Sequence, residues 1–229
     1  MEFTLLFAVL TAVALVWASS RLFAERLSEI PHAVDTLIGV ASIGLFAGRI
    51  GTMILDGVNP ITNPFQVILV RAGVDTRIAA TAAVMALLWT TRARIPGWID
   101  ALAPIAVAGV AGWHGGCVWR GACLGAASDL PWAFALPGSS VTRHPVEIYA
   151  ALAMLAWAIV VNRLPMRPWL PTGAAVAGLA IIRLVTEPVR PSLEGGPVWF
   201  YGIALAVGVG LGLFGDRLSG RRGLRSRSR

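Results

Sequence analysis

Residues 35–55 read DTLIGVASIGLFAGRIGTMIL, an apolar run whose charged side chains are limited to Asp35 and Arg49. The hydrocarbon core of a bilayer is about 30 Å thick and needs about 20 mostly apolar residues in a helix to cross it. The run has that length and composition. The sequence therefore predicts that this segment crosses a membrane as an α-helix.

Similar apolar runs occur along most of the chain, which is 56% hydrophobic and only 14% charged, with a mean hydropathy of +0.72. Soluble domains carry about 25% charged residues, so the composition excludes a soluble globular protein. We predict an all-α integral membrane protein of about seven transmembrane helices. Residues 1–215 are expected to form a single domain, followed by a basic tail at 216–229. The six further predicted spans are 3–19, 77–91, 98–118, 146–162, 172–187 and 197–215.

The arginines between the predicted spans indicate an orientation. All 19 basic residues are arginine. With the N-terminus outside, about twelve fall in inside loops and the tail and about five in outside loops, which favours N-out and C-in by the positive-inside rule. Six of the twelve lie in the tail, where anionic lipids explain them better than nucleic acid does.

Ionisable residues inside predicted spans are candidates for function, because a charge at the centre of a bilayer is unfavourable by at least about 2.5–3.5 kcal/mol. Arg49 lies in the second span, and Arg183 and Glu187 lie four residues apart in the sixth. Helical spacing lets Arg183 and Glu187 pair. Two alternatives stay open: the pair has only a structural role, or Arg49 extends its long side chain to the interface.

A glycine-rich segment follows the fourth predicted span, with the sequence HGGCVWRGACLG at residues 114–125. Its glycines, His114 and two cysteines suggest a broken helix that lines a cavity; close packing of small residues between helices is the alternative. Whether Cys117 and Cys123 form a disulfide stays open. We expect both to lie near the outer side and to react with a membrane-impermeant thiol reagent.

A third polar cluster stands just before the fifth predicted span. Arg143 and His144 precede Pro145, which suits the first position of a helix. Glu147 and Tyr149 then fall in its first turns. An ordinary helix start with an interfacial tyrosine is the alternative interpretation.

Four segments of the chain together resemble the prolipoprotein diacylglyceryl transferase family. Residues 48–51 are similar to its small-Arg-x-Gly stretch, and residues 100–125 to its central signature, one branch of which reads Arg-x-Gly-Cys-Phe, two residues, then Gly-Cys-Cys-x-Gly. Residues 143–149 are similar to its Arg-His-Pro-Ser-Gln-Leu-Tyr, and residues 183–187 to its Arg-Phe-x-x-Glu. The resemblance extends over residues 35–215.

This resemblance implies a seven-helix enzyme of the bacterial plasma (inner) membrane. Family members move the diacylglyceryl group of phosphatidylglycerol onto the cysteine thiol of a lipobox in a secreted lipoprotein precursor. Phosphatidylglycerol, such precursors and membrane lipids are the implied partners, and no metal or organic cofactor is implied. The candidate catalytic residues are His114, His144 and Glu187; the candidate substrate-binding residues are Arg49, Arg143, Arg183, Cys117, Gly116, Gly121 and Tyr149.

The chain also departs from the family pattern. His114 stands where the signature has arginine, Cys117 where the best-known members have asparagine, and Ala122 where the signature has glutamate or cysteine. Residues 73–78 lack the histidine of a His-Gly-Gly segment. These departures keep two alternatives open. One is a non-catalytic member that binds lipid or a membrane partner, and the other is a related transferase with another acceptor, in which Cys117 and Cys123 act themselves.

Overall fold

The computed structural model describes residues 4–68, 73–92, 96–120, 123–135, 138–190 and 197–226. Nearly all regular structure within these ranges is helical. Two short strands, β1 (Phe134–Ala135) and β2 (Thr142–Arg143), form an antiparallel pair. The helices are α1 (Thr4–Leu22), α2 (Ala24–Leu27), α3 (Ala33–Leu55), α4 (Pro64–Ile68), α5 (Thr76–Thr91), α6 (Gly97–Gly115), α7 (Cys117–Arg120), α8 (Val146–Arg163), α9 (Leu170–Thr186) and α10 (Val198–Ser226).

Five helices of the described ranges are long and apolar enough to cross a membrane: Ala33–Leu55, Gly97–Trp119, Val146–Arg163, Leu170–Val189 and Val198–Arg217. A shorter apolar helix covers Phe7–Leu22, and α5 has 16 residues. The predicted helical membrane architecture is confirmed. The count of seven spans and the N-out orientation stay predictions. The last helix, α10, continues past the predicted limit at residue 215, so the basic tail begins as helix.

The most buried of these helices is α6, which packs against α1 on one side and against α8 and α9 on the other. Small residues allow the contact with α1. A Cβ atom added at Gly112 would lie 2.6 Å from the Cα of Ala12, and one added at Gly116 would lie 2.5 Å from the Cα of Ala8. Glycines four apart therefore let two backbones approach closely, as in small-xxx-small packing between membrane helices.

The turn between α8 and α9 is held by polar side chains from two other segments. Asp100 of α6, only 2% exposed, accepts hydrogen bonds from the backbone N–H groups of Trp169 (2.7 Å) and Thr172 (3.0 Å) at the start of α9. Arg26 donates from Nη1 and Nη2 to the carbonyls of Val161 and Leu164 at the end of α8. Each helix end thus obtains the cap that its own sequence does not supply. We call this part of the bundle the Asp100 end.

Replacing Asp100 with alanine is expected to destabilise the protein by about 2 kcal/mol or more, because the start of α9 loses charge-assisted hydrogen bonds in a buried place. Thermal unfolding of the purified protein in detergent measures the effect as a lower midpoint temperature. Asp216→Ala is the matched control, since Asp216 is exposed on α10. Equal midpoints for the two variants would contradict the capping role.

The N-out orientation predicts which loops react with a membrane-impermeant maleimide in intact cells. Asp129→Cys lies in the predicted outer loop and Ser28→Cys in the predicted inner loop, and both positions are exposed. We expect labelling at position 129 and none at position 28 until the membrane is permeabilised. The reverse pattern would overturn the orientation.

Candidate functional site

A largely buried carboxylate, Glu147, joins three basic side chains where α6 and α9 end and α8 begins. Its Oε2 lies 2.6 Å from His114 Nδ1 and 3.2 Å from Arg183 Nη1. Its Oε1 forms an ion pair with Arg190 Nε at 3.1 Å. His114 is in the last turn of α6, Glu147 in the first turn of α8 and Arg183 in the last turn of α9. We call this group and Glu187 the Glu147 cluster, and this part of the bundle the Glu147 end.

The second carboxylate of the cluster belongs to Glu187, where α9 gives way to a 3₁₀ turn at Glu187–Val189. Its Oε2 lies 3.2 Å from Arg190 Nη1 and 3.9 Å from Arg183 Nη2. Arg183 also lies against the ring of Tyr201 in α10, with 5.7 Å between its Cζ and the ring centroid. Both arginines are therefore bound by both carboxylates.

The cluster is largely buried, with Glu147 and His114 at 13% and 18% side-chain exposure, and its most exposed member is Arg190. The side chains of Arg183 and Glu187 are 8% and 7% exposed, whereas that of Arg190 is 33% exposed. Two guanidinium groups face two carboxylates, so the cluster is electrically balanced when His114 is neutral. An anion that reaches the site meets Arg190 first and must compete with the carboxylates for it.

The predicted pairing of Arg183 with Glu187 is present, but its shorter partner is Glu147 of the neighbouring helix. Sequence reasoning placed Glu147 in a motif without giving it a role, and it counted Arg190 as an ordinary loop arginine. Two signals were available: Glu147 is a carboxylate where the related motif has a neutral amide, and Arg190 follows Glu187 by three residues.

Within residues 143–149, Glu147 belongs to the Glu147 cluster, whereas Arg143, His144 and Tyr149 contact other parts of the chain. Arg143 donates from Nη1 to the carbonyl of Gly125 (3.3 Å), and the backbone of His144 pairs with Gly125 and Ala126. The hydroxyl of Tyr149 accepts from Trp132 Nε1 at 2.7 Å. In the described part of the chain, these side chains make no hydrogen bond or ion pair with the Glu147 cluster. The assignments of Arg143, His144 and Tyr149 to a catalytic or binding site stay predictions.

Arg49 is 4% exposed and holds the segment that follows α3. Its Nε and Nη2 donate to the carbonyl of Gln66 at 3.1 and 2.8 Å, and its Nη1 donates to that of Gly73 at 3.4 Å. These backbone contacts satisfy the guanidinium of Arg49 inside the fold. The alternative from the sequence instead places this guanidinium at the membrane interface. Its proposed contact with substrate stays a prediction.

The glycine-rich segment is less interrupted than expected. Only Gly116 separates α6 from α7, and its backbone stays right-handed (φ −61°, ψ −8°). The expected broken helix that lines a cavity stays a prediction. The contact of Gly116 with Ala8 supports the alternative of close helix packing. Gly121 and Ala122 lie outside the described residues.

The two cysteines form a disulfide between Cys117 and Cys123, and both residues are buried at 0% and 2% exposure. The expectation that their thiols react with an impermeant reagent is therefore wrong. The bond fixes the beginning of α7 to the loop whose backbone pairs with His144 through Gly125 and Ala126. Cys117 consequently offers no thiol to a substrate while the bond is intact.

Two comparisons with known proteins bear on this arrangement. The family model described as prolipoprotein diacylglyceryl transferase matches residues 2–215. The chain belongs to this family. A relative from Solidesulfovibrio magneticus, named phosphatidylglycerol–prolipoprotein diacylglyceryl transferase, is 28% identical over 165 aligned residues. The alignment covers 65% of this chain and 62% of the relative. The aligned part thus spans less than two thirds of that relative's length.

Within the transferase family, the structure brings two departures from the motifs into contact. His114 replaces the signature arginine and Glu147 replaces the glutamine of the third motif. Their side chains are 2.6 Å apart. Two positions at which this chain differs from the motifs it resembles are therefore in direct contact.

The disulfide predicts the behaviour of the protein towards a large maleimide reagent. Unfolded but unreduced protein should gain no label, and unfolded and reduced protein should gain two, resolved as shifts on a gel. Cys123→Ser is the control, because it frees Cys117 and should give one label without reduction. Labelling of the unreduced wild type would contradict the bond.

Proposed function

We propose that this protein transfers the diacylglyceryl group of phosphatidylglycerol to the thiol of a lipobox cysteine in a secreted lipoprotein precursor, in the plasma membrane of a bacterium. The family assignment and the name of the Solidesulfovibrio relative support this proposal. The observation that carries it is the Glu147 cluster: two arginines and a histidine–carboxylate pair, buried where three membrane helices meet.

The arginines supply what the phosphate of the donor lipid needs. Guanidinium groups bind phosphate through two parallel hydrogen bonds, and they stay charged in apolar surroundings. Arg190 is the more exposed of the pair and lies nearer to solvent, so it receives the phosphate first. Arg183 lies deeper and then shares the charge. Arg49 and Arg143 extend this basic surface in the proposal, although their guanidinium groups bind backbone carbonyls in the structure.

His114 is the proposed base for the acceptor thiol. A carboxylate has no proton to donate, so Nδ1 of His114 must carry the hydrogen that Glu147 accepts at 2.6 Å. The other ring nitrogen, Nε2, is then free of a proton in the neutral ring and can take one from the thiol. Glu147 orients the ring and stabilises the imidazolium that forms, as the third group of a catalytic triad does. His144 is the second candidate for this role.

The bonds made and broken balance as follows. The thiol proton moves to His114 Nε2. The sulfur attacks the carbon of the diacylglyceryl group that is bonded to the phosphate oxygen. A carbon–sulfur bond forms while the carbon–oxygen bond to phosphate breaks. Glycerol phosphate leaves with one additional negative charge, which Arg183 and Arg190 stabilise.

The two alternatives from the sequence fare differently. A transferase that uses its own cysteines as nucleophiles loses its support, because Cys117 and Cys123 are bonded to each other. The non-catalytic lipid-binding member keeps one supporting observation. The cluster is electrically balanced by its own carboxylates, so binding of an anion requires exchange of partners.

The proposal is tested with purified protein in detergent, phosphatidylglycerol and a synthetic lipobox peptide. Mass spectrometry follows the diacylglyceryl adduct on the peptide cysteine. We expect an adduct with wild type, and a rate lower by about 10²-fold or more in His114→Ala, the range by which general base catalysis accelerates reactions. Arg183→Lys should also lose most activity, because lysine cannot reproduce the two-pronged contact.

His32→Ala serves as the matched control, because His32 is exposed and pairs only with Asp35 in the described part of the chain. It should retain the wild-type rate. Absence of any adduct with folded wild type that still co-purifies with phospholipid would contradict the enzyme and favour the lipid-binding alternative.

A further inference from the structure

One oxygen of Glu187 stands apart from the rest of the Glu147 cluster. Glu187 Oε1 is buried and has no hydrogen-bond partner among the residues that the structure describes. The side chain as a whole is 7% exposed. Its other oxygen, Oε2, is engaged by Arg190 and Arg183, whereas both oxygens of Glu147 have partners. The cluster therefore contains one hydrogen-bond acceptor that is not in use.

A buried carboxylate oxygen without a partner is unfavourable, and an unsatisfied group of this kind in a native fold calls for an explanation. A carboxylate can only accept, so the missing partner is a hydrogen-bond donor. The position is informative because the same carboxylate binds both of the arginines assigned to the phosphate. A donor that reaches Oε1 thus belongs to a molecule whose phosphate lies close by.

We propose that Glu187 Oε1 accepts a hydrogen bond from a hydroxyl of the lipid head group. Glu187 is then the residue that selects donor lipids with an uncharged, hydroxyl-bearing head group. This inference rests on the proposed function, since it concerns the head group of the lipid consumed there. It gives Glu187 a contact with substrate in addition to its contact with Arg183.

A hydroxyl suits this oxygen better than an ammonium group does. An ammonium at Oε1 would lie close to two guanidinium groups that already neutralise the same carboxylate, and like charges at such distances repel. An uncharged hydroxyl has no such repulsion and still satisfies the oxygen. The surroundings of Glu187 thus favour a polyol head group over an aminoalcohol one.

The substitution Glu187→Gln turns the acceptor into a donor. The amide oxygen is drawn to the guanidinium of Arg190, which can only donate, so the amide NH₂ takes the place of Oε1. A head-group hydroxyl then loses an acceptor that is negatively charged. The size of the side chain is unchanged, which limits the effect on packing.

The test compares three donor lipids in the peptide transfer assay: phosphatidylglycerol, phosphatidylmethanol and phosphatidylethanolamine. Phosphatidylmethanol keeps the phosphate and lacks the hydroxyls. For wild type we expect kcat/KM to favour phosphatidylglycerol over each of the other two by about tenfold or more, in line with the strength of hydrogen bonds to charged groups. In Glu187→Gln, the ratio between phosphatidylglycerol and phosphatidylmethanol should fall about tenfold, whatever the absolute rates.

Glu147→Gln is the matched control, because it makes the same change of carboxylate to amide at a residue whose oxygens are both bound within the chain. It should slow transfer from all donors and leave their ratio as in wild type. An unchanged ratio in Glu187→Gln, or a wild type that does not discriminate between the donors, would overturn the inference. Either result would mean that Glu187 only holds the arginines.

A binding measurement separates this inference from the proposed function. Native mass spectrometry of detergent-purified wild type and Glu187→Gln reports the ratio of bound phosphatidylglycerol to phosphatidylmethanol without any turnover. A wild type that prefers phosphatidylglycerol, and a variant that has lost the preference, would support the role of Glu187 even in a protein without transferase activity. Equal ratios in both proteins would refute it.

Discussion

A charge buried between membrane helices needs a partner of opposite charge, and Arg183 finds that partner in Glu147. Arg183 is 6% exposed, so its guanidinium has little access to water. This ion pair, with 3.2 Å between Arg183 Nη1 and Glu147 Oε2, joins the end of α9 to the beginning of α8. The contact of Glu147 with His114 connects the end of α6 to the same carboxylate. Removing one member of such a pair leaves an uncompensated charge, which is far more harmful than losing an exposed ion pair. The arrangement of three helices therefore depends on one carboxylate.

The sequence predicted the helices well and the cluster only in part. Lengths of apolar runs determine where helices begin and end, so predicted spans such as 146–162 agree with helices such as Val146–Arg163. The contact of Arg183 with Glu187 was predictable because the two residues are four apart along one predicted span. The roles of Glu147 and Arg190 were not, because a contact between helices depends on how each helix is rotated, and spacing along the chain does not determine that. The disulfide was left open for a similar reason, since the path of the loop brings Cys123 back to Cys117.

The exchange of arginine and glutamine for His114 and Glu147 changes the charge of the site. The pair replaces one positive and one neutral side chain by one neutral and one negative, so the net charge of the cluster is lower by two units while His114 is unprotonated. Proton uptake by His114 raises the net charge by one unit. In the proposed reaction, this charge arises in the same step in which the departing phosphate becomes more negative. The positive charge is then present when the transition state requires it.

The two ends of the α8–α9 pair are held by different kinds of bonds. At the Asp100 end, hydrogen bonds from Asp100 and Arg26 to the backbone fix the turn that connects the helices. At the Glu147 end, the ion pair of Glu147 with Arg183 joins them, and a bound anion competes for the same arginine. Helices α8 and α9 are thus held by hydrogen bonds to the backbone at one end and by an ion pair at the other. In the proposed reaction, an anion that draws Arg183 away from Glu147 breaks the ion pair that joins the two helices at the Glu147 end, while the hydrogen bonds at the Asp100 end stay in place.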